Sequence, residues 1–242
     1  VITNNLANSQ TTAFKRVQPM FQDLLYTTLR SAGSASNAQN LLPTGLQIGA
    51  GAAVTSTERN NIQGGLIQTG NQLDVAIQGN GYFQIQLADG TLAYTRNGSF
   101  SLSATGQIVT AQGNVVGGAG VIPATATGIT INTAGLVQYT VQGSTNLIQA
   151  GQLIMASFAN PAGLQALGDT NFLPTPSSGT AQTQIAGTNG MGTINQYYLE
   201  QSNVNVAEEM VNLIAAQRAY EINTRAVTAS DQILQRVSNL GQ

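Results

Sequence analysis

Ser202–Leu240 reads SNVNVAEEMVNLIAAQRAYEINTRAVTASDQILQRVSNL and contains neither Pro nor Gly. One stripe of positions runs Val206, Met210, Leu213, Gln217, Tyr220, Thr224, Val227, Asp231 and Leu234, in alternating steps of four and three, with Ile214 beside it. A second runs Ile222, Ala226, Ala229, Ile233, Val237 and Leu240. Steps of three and four align side chains on a helix face and make a seam that a partner helix can cover. The spacing predicts one helix over 206–239, about 51 Å long at a rise of roughly 1.5 Å per residue. Asn205 stands at the N-cap position, with Glu208 at N3 and Glu209 beside it, a capping-box-like start. Such a helix overhangs a domain of roughly 100 residues, whose radius of gyration is near 13 Å. Its apolar positions also lie on more than one face, so it reads as an arm for self-association or for packing on partner helices. The plainer alternative is that it packs on the rest of its own chain.

Upstream, the period changes to two. Leu73, Val75 and Ile77 alternate with Asp74, Ala76 and Gln78, and Phe83, Ile85 and Leu87 alternate with Gln84 and Gln86. Further strands are expected over 92–96, 107–110, 129–132, 136–141 and 152–158. Ala88–Thr91, Asn97-Gly98, Thr105-Gly106 and Ala134-Gly135 supply the turns. Short strands with regular Gly-containing turns argue for an antiparallel β domain, either a sandwich or an open barrel.

The first 30 residues are less uniform. Ile2 and Leu6, four apart in Val1–Asn8, resemble the tail of a helix, and Ser9–Thr12 favours side-chain hydrogen bonds that break it. Phe14, Val17, Phe21, Leu24 and Leu25 follow at steps near three or four, yet Pro19 argues against a continuous helix. Helix and extended chain both remain open there. Residues 31–72 are rich in Gly, Ser, Ala and Asn, as in loops and arms, with short strands expected over 54–59 and 66–69. The expected architecture is α+β, an antiparallel β-rich domain inserted between N- and C-terminal helical arms that pack together in an assembly. Its parts are a truncated N-terminal arm over 1–30, an extended linking region over 31–72, the β domain over 73–175, a return segment over 176–201 with one more strand over 196–199, and the C-terminal helix over 202–242.

Composition narrows the function. The chain has 242 residues, only 7% of them charged, with a net charge of −2 and neither Cys nor His. A typical soluble domain carries roughly 25% charged residues. An amide- and hydroxyl-rich surface fits subunit contacts, where desolvating charge is expensive; an ordinary uncharged monomer surface is the alternative. Nothing marks a nucleic-acid footprint or a polybasic membrane patch. Disulfides, thiol nucleophiles, Cys/His zinc sites and His-based acid–base catalysis are excluded. No apolar run approaches the roughly 18 residues that a membrane helix needs. Because the chain starts at Val1 inside a helical-looking segment, it is expected to lack its natural N-terminus, and a missing signal peptide carries no weight.

Catalytic constellations are weak. Glu208 and Glu209 are adjacent on a helix, pointing about 100° apart, and capping with the helix dipole explains them. Asp74 and Arg96, on neighbouring expected strands, suggest a structural ion pair. Gly49–Gly51 and Gly79–Gly81 lack the setting of a nucleotide fingerprint. Tyr82, Phe83, Tyr94 and Phe100 read as core residues, since no interleaved Lys or Arg makes them a stacking platform. No cofactor or metal is expected.

Several of these stretches resemble the bacterial flagellar rod and hook proteins. Asn4-Asn5-Leu6-Ala7-Asn8 with Thr12-Ala13-Phe14-Lys15 resembles that family's N-terminal signature, except that Ala13 stands where the family often has Gly. Ser202–Asn205, Glu208–Val211, Gln217–Asn223 and Asp231–Leu234 resemble its C-terminal counterpart. Leu73–Ile77, Gly79–Phe83 and Tyr94–Phe100 resemble its β-domain motifs. Phe21–Tyr26 and the stretch on to Leu42–Gln47 are similar to an extra segment of the distal-rod branch, associated with a stiff, straight rod. The resemblance implies a non-enzymatic, motility-serving subunit of the basal-body distal rod, exported by the type III apparatus without a cleaved signal peptide and located where the rod crosses the periplasm. It implies a helical homopolymer of coiled-coil-like terminal arms, with proximal rod and hook proteins at its two ends and the P- and L-ring bushing proteins around it. Asn4, Asn5, Leu6, Asn8 and Phe14 would then join the α-helical stripe in the assembly interface, and Tyr26, Leu29, Leu42 and Pro43 would belong to the stiffening segment. A proximal rod or hook subunit, or a phage-tail or adhesin-like fibre protein, is the alternative.

Overall fold

The computed structural model describes residues 1–33, 35–37, 40–41, 43–143 and 146–240, so Leu42 lies outside the described residues. The chain divides into two compact units, one formed by Val17–Asn60 with Val1, the other by Ile2–Arg16 with Asn61–Gln242. It is α+β, with antiparallel sheets, one short N-terminal helix and one long C-terminal helix.

In the larger unit the alternating stretch around Phe83 and Ile85 becomes a strand of a nine-stranded sheet, while Val75–Gln78 forms a separate two-stranded sheet. Tyr82–Gln86 lies at its centre, paired with Leu92–Thr95, Val115–Val116 and Met155–Ser157. Ala93 sits opposite Ile85, and Thr95 opposite Phe83. One face of Tyr82–Gln86 turns Phe83 and Ile85 into the main core with Val75, Ile77, Phe100, Ile108, Leu153, Met155 and Ile194, all at most 2% exposed. The Phe83 and Phe100 rings meet edge to face at 5.3 Å. The other face turns Tyr82 into a smaller cluster with Tyr94, Phe158 and Phe172. The four aromatics singled out in the sequence are thus all buried. Each such side chain contributes about 1.5–3 kcal/mol through burial. Gly98 is required at its turn, since a Cβ there would stand 1.6 Å from the Val75 carbonyl oxygen.

The segment after the β core runs as two strands where one was expected. Thr193–Gln196 pairs with Val75–Gln78, and Tyr198–Glu200 pairs with Leu66–Gln68. The break is at Tyr197, whose φ of 66° turns the chain from one partner to the next. Its N–H donates to the Asp74 carbonyl at 2.8 Å, and its carbonyl accepts from the Thr69 N–H at 2.6 Å.

Helix α1 spans Ile2–Ala7 and α2 spans Val206–Leu240. Side chains end α1 as the sequence suggests: Asn8 Nδ2 donates to the Asn4 carbonyl at 3.0 Å and Ser9 Oγ to the Leu6 carbonyl at 2.8 Å. Asn205 Oδ1 caps α2, accepting from the Ala207 and Glu208 N–H groups at 3.1 and 3.4 Å. Ala13 has a φ of 58°, in the left-handed region that glycine favours.

In the smaller unit the chain is extended, which settles the reading left open around Pro19. Val17–Asp23 pairs with Ala52–Arg59, and Tyr26–Arg30 with Leu46–Gly49, forming nested antiparallel pairs. Pro19 fits because a two-stranded ribbon leaves outward backbone groups that need no donor. Within the part whose composition suggested loop, Leu46–Gly49 and Ala52–Arg59 are paired strands, since backbone groups pair whatever the residue type.

Candidate functional site: an exposed helical arm and its charged base

The first turns of α2 meet the rest of the unit, and α1 lies against α2. Glu209 is buried and Leu213 half-buried, while every residue from Ile214 to Asn239 is exposed. On the first stripe Val206, Met210, Ile214, Gln217, Tyr220, Val227 and Leu234 are all exposed, Tyr220 at 74%. Ile222, Ile233 and Val237 of the second stripe are exposed as well. Asn5 is buried, Asn4 is exposed, and Leu6, Asn8 and Phe14 are half-buried. The structure therefore gathers the N-terminal motif at the base of α2 and leaves the apolar seam beyond it uncovered within the chain. In the smaller unit Tyr26, Leu29 and Pro43 are exposed.

The base of α2 holds what the sequence reading missed. Arg96 does not pair with Asp74, which instead accepts from Asn71 Nδ2 at 3.0 Å. Arg96 Nε reaches Glu200 Oε2 at 2.7 Å, and its terminal nitrogens donate to the carbonyls of Gly81, Gly79 and Ile77 at 3.0, 2.9 and 3.3 Å. Glu200 Oε1 accepts from Lys15 Nζ at 2.5 Å and from the Gly64 N–H at 2.9 Å. Lys15 also donates to the Ile62 carbonyl at 2.8 Å. Lys15, Arg96 and Glu200 are at most 5% exposed. Next to them Arg16 pairs with Glu208 at 2.8 Å and Glu209 at 2.7 Å, and its N–H donates to Asn203 Oδ1 at 2.7 Å. The contact between Arg16 Nε and Glu209 Oε1 is close but poorly aligned, so it acts as an ion pair more than as a hydrogen bond.

Burial pushes the Glu200 carboxyl up, but the charges of Arg96 and Lys15 with their hydrogen bonds outweigh it and hold it below the usual carboxylate value. Burial pulls the Lys15 ammonium down, and Glu200 only partly restores it. A signal for this cluster was available. In a chain with 8 basic and 10 acidic residues, Lys15 and Arg16 are adjacent, and Glu200, Glu208 and Glu209 fall within ten positions of one another.

Nothing in this arrangement is suited to bond-making chemistry. Lys15, Arg96 and Glu200 are taken up by one another and by backbone groups, and an open cavity of about 310 Å³ elsewhere is lined by Gln152, Leu153, Ile154, Thr183, Gln184 and Ile185, without acid or base. Among the described residues no three His, Cys, Asp or Glu side chains converge as metal ligands, and no helix is long and apolar enough to cross a membrane.

Residues 76–139 match the family described as flagellar hook protein FlgE/F/G D1 domain, and residues 195–240 match the flagellar basal body rod FlgEFG protein C-terminal family. The flagellar basal-body rod protein FlgG of Buchnera aphidicola subsp. Acyrthosiphon pisum is 47% identical over 99% of this chain and 92% of its own length. That of Caulobacter vibrioides is 46% identical, again over 99% of this chain and 92% of its own. This chain belongs to the FlgG family of flagellar basal-body rod proteins. The likeness to the flagellar hook protein FlgE of Borreliella burgdorferi, 41% identical, covers only 37% of the chain, so the rod reading is preferred to the hook. As a FlgG-family protein it is a structural subunit of the distal rod of the flagellar basal body and not an enzyme, and it serves motility.

Proposed function

We propose that this FlgG-family subunit builds a rigid hollow driveshaft by packing its terminal helices into an inner tube, with the β domain outside. The observation that carries this reading is the apolar seam of α2, exposed from Ile214 to Val237. An isolated helix gains little from propensity alone, so a seam of this length needs other helices against it. The partner that meets the need is a second copy of the same chain, repeated along an open helix. Under this reading Val206, Met210, Leu213, Ile214, Gln217, Tyr220, Val227 and Leu234 pack between subunits, with Asn4, Asn5, Leu6, Asn8 and Phe14 at the base. Residues 1–30 act as an arm, 31–72 as the link, 73–175 as the β domain, 176–201 as the return and 202–242 as the inner helix.

The ribbon of Val17–Arg59 supports the stiffening role. Two strands alone are marginal in water, and Phe21, Leu25, Tyr26, Leu29, Ile48 and Val54 are all exposed on it. Laid against a neighbouring subunit, these side chains are buried and the sliding between subunits that permits bending is blocked. Proximal rod and hook proteins occupy the two ends and the P- and L-ring proteins surround the shaft, where it crosses the periplasm after export by the type III route without a cleaved signal peptide.

The test uses the lack of native Cys. Val227→Cys and Ile233→Cys, introduced together in cells and oxidised, are expected to give a ladder of covalent oligomers in isolated basal bodies. Monomer alone, with both thiols still reactive, would contradict the packing.

A further inference from the structure

We propose that the charges on Glu200, with the neighbouring Arg16–Glu208–Glu209 ion pairs, form a torsional lock between the base of α2 and the β sheet. Three of the 8 basic residues and three of the 10 acidic ones lie in this one cluster, in a chain only 7% charged. They come from four separate stretches. Lys15 and Arg16 follow α1, Arg96 directly follows the central strand Leu92–Thr95, Glu200 closes the last strand, and Glu208 and Glu209 open α2. Asn203 adds a further tie, donating through Nδ2 to the Ile62 carbonyl at 2.9 Å.

A buried ion network is a poor way to gain stability, because desolvation offsets most of the attraction. What it supplies is direction. Greasy contacts slide with little change in energy, whereas a guanidinium fork bound to one carboxylate and three carbonyls holds at one orientation only. The Arg96 fork is fixed in that way, by Glu200, Gly81, Gly79 and Ile77, and Tyr82 lies under it at 6.0 Å. Rotation of α2 about its axis moves Glu208 and Glu209 away from Arg16. Tilting it drags Gln201 and Asn203 and so pulls on Glu200. Either displacement leaves buried charge unpaired, so the joint resists twist in both senses. That twist carried by the rod passes through this joint rests on the driveshaft reading; the lock itself does not.

The experiment uses the purified chain with Ala104→Cys in the β-sheet unit and Val211→Cys in α2, spin-labelled at both. The distance distribution between the labels is expected to be single and narrow, and to widen at least about twofold in Glu200→Gln, while the Gly64 and Gln201 amides exchange at least about tenfold faster. The Ile85 amide, in the β core, is expected to lose no more protection than the fall in global stability accounts for. A distribution that is broad from the start, or a width and exchange unchanged in Glu200→Gln, overturns the lock. Should Gly64 and Gln201 lose no more protection than Ile85 in Glu200→Gln, Arg16→Gln at the edge of the cluster decides: widening with Ile85 protected supports the lock, and no widening overturns it. Filament formation is scored separately, so failure of the chain to polymerise counts against the driveshaft alone.

Discussion

Glu200 and Arg96, 104 positions apart in sequence, meet at 2.7 Å with both side chains buried, and Lys15 closes on the same carboxylate from 185 positions away. The N-terminal motif and the β sheet are thereby joined at one carboxyl group, and Arg16, next to Lys15, ties Glu208 and Glu209 of α2 beside it. Removing it leaves two buried cations without their partner. Glu200→Ala is expected to destabilise the larger unit by about 3–5 kcal/mol, measured by denaturant unfolding, while Asp74→Ala, which breaks only the contact to Asn71, costs about 1 kcal/mol. Equal losses would mean that the cluster has no special place in the fold.

The same group sets an acid limit. The folded value of Glu200 lies below its usual 4.5, so its stabilisation is complete above about that pH and is lost as pH falls through the depressed value. Thermal midpoints should therefore fall on acidification below pH 4.5, and fall less steeply in Glu200→Gln. Parallel curves for the two proteins would remove Glu200 from the acid response.

Ala13 presents a balance of small terms. The left-handed backbone costs about 1–2 kcal/mol for a residue with a Cβ. Glycine there would relieve it but lose about 0.8 kcal/mol of methyl burial and about 0.5–1 kcal/mol to the freer unfolded chain. Ala13→Gly should thus change stability by less than about 0.5 kcal/mol, whereas the β-branched Ala13→Val should cost at least about 2 kcal/mol. The pair is read from urea midpoints.

Much of this was legible in the sequence, and the reasons differ by element. Period-two alternation around Phe83 and Ile85 marked the core strands because one face is buried. The three-and-four spacing from Val206 marked α2 to within one residue at its C-terminal end, helped by the Asn205 cap. Tyr197 was hidden because a positive φ in a bulky residue leaves no compositional trace. Val17–Asp23 stayed ambiguous because ladder hydrogen bonds are made by backbone. The assignment of Arg96 to Asp74 went wrong for a related reason. Strand neighbours can be read locally, while Glu200 reaches the site only through the crossing of the last strand from Val75–Gln78 to Leu66–Gln68.

Gly98→Ala offers a test of the β domain by itself. With a Cβ placed against the Val75 carbonyl, the turn must open, at a cost of about 3 kcal/mol. Gly90→Ala, where a Cβ meets open space, suffers only from its φ of 84° and should cost about 1–2 kcal/mol. Calorimetric midpoints of the two variants give the order, and its reversal would contradict the packing described at Gly98.

Assembly and folding should separate on α2. Val227 is 61% exposed within the chain, so Val227→Glu should shift subunit stability by no more than about 0.5 kcal/mol. In a packed inner tube the same charge is buried, and motility in soft agar should be lost while the protein accumulates normally. Swimming at the parental rate would place Val227 outside any interface.

The central claim is that this chain polymerises through α2 into a stiff tube. The most direct measurement is electron cryo-microscopy of filaments assembled from the chain extended to the full length of its relatives. Straight hollow filaments are predicted, with α2 lining the inner wall and Val227 and Leu234 buried between subunits. Closed trimers without end-to-end growth, or curved filaments with α2 on the outside, would contradict it.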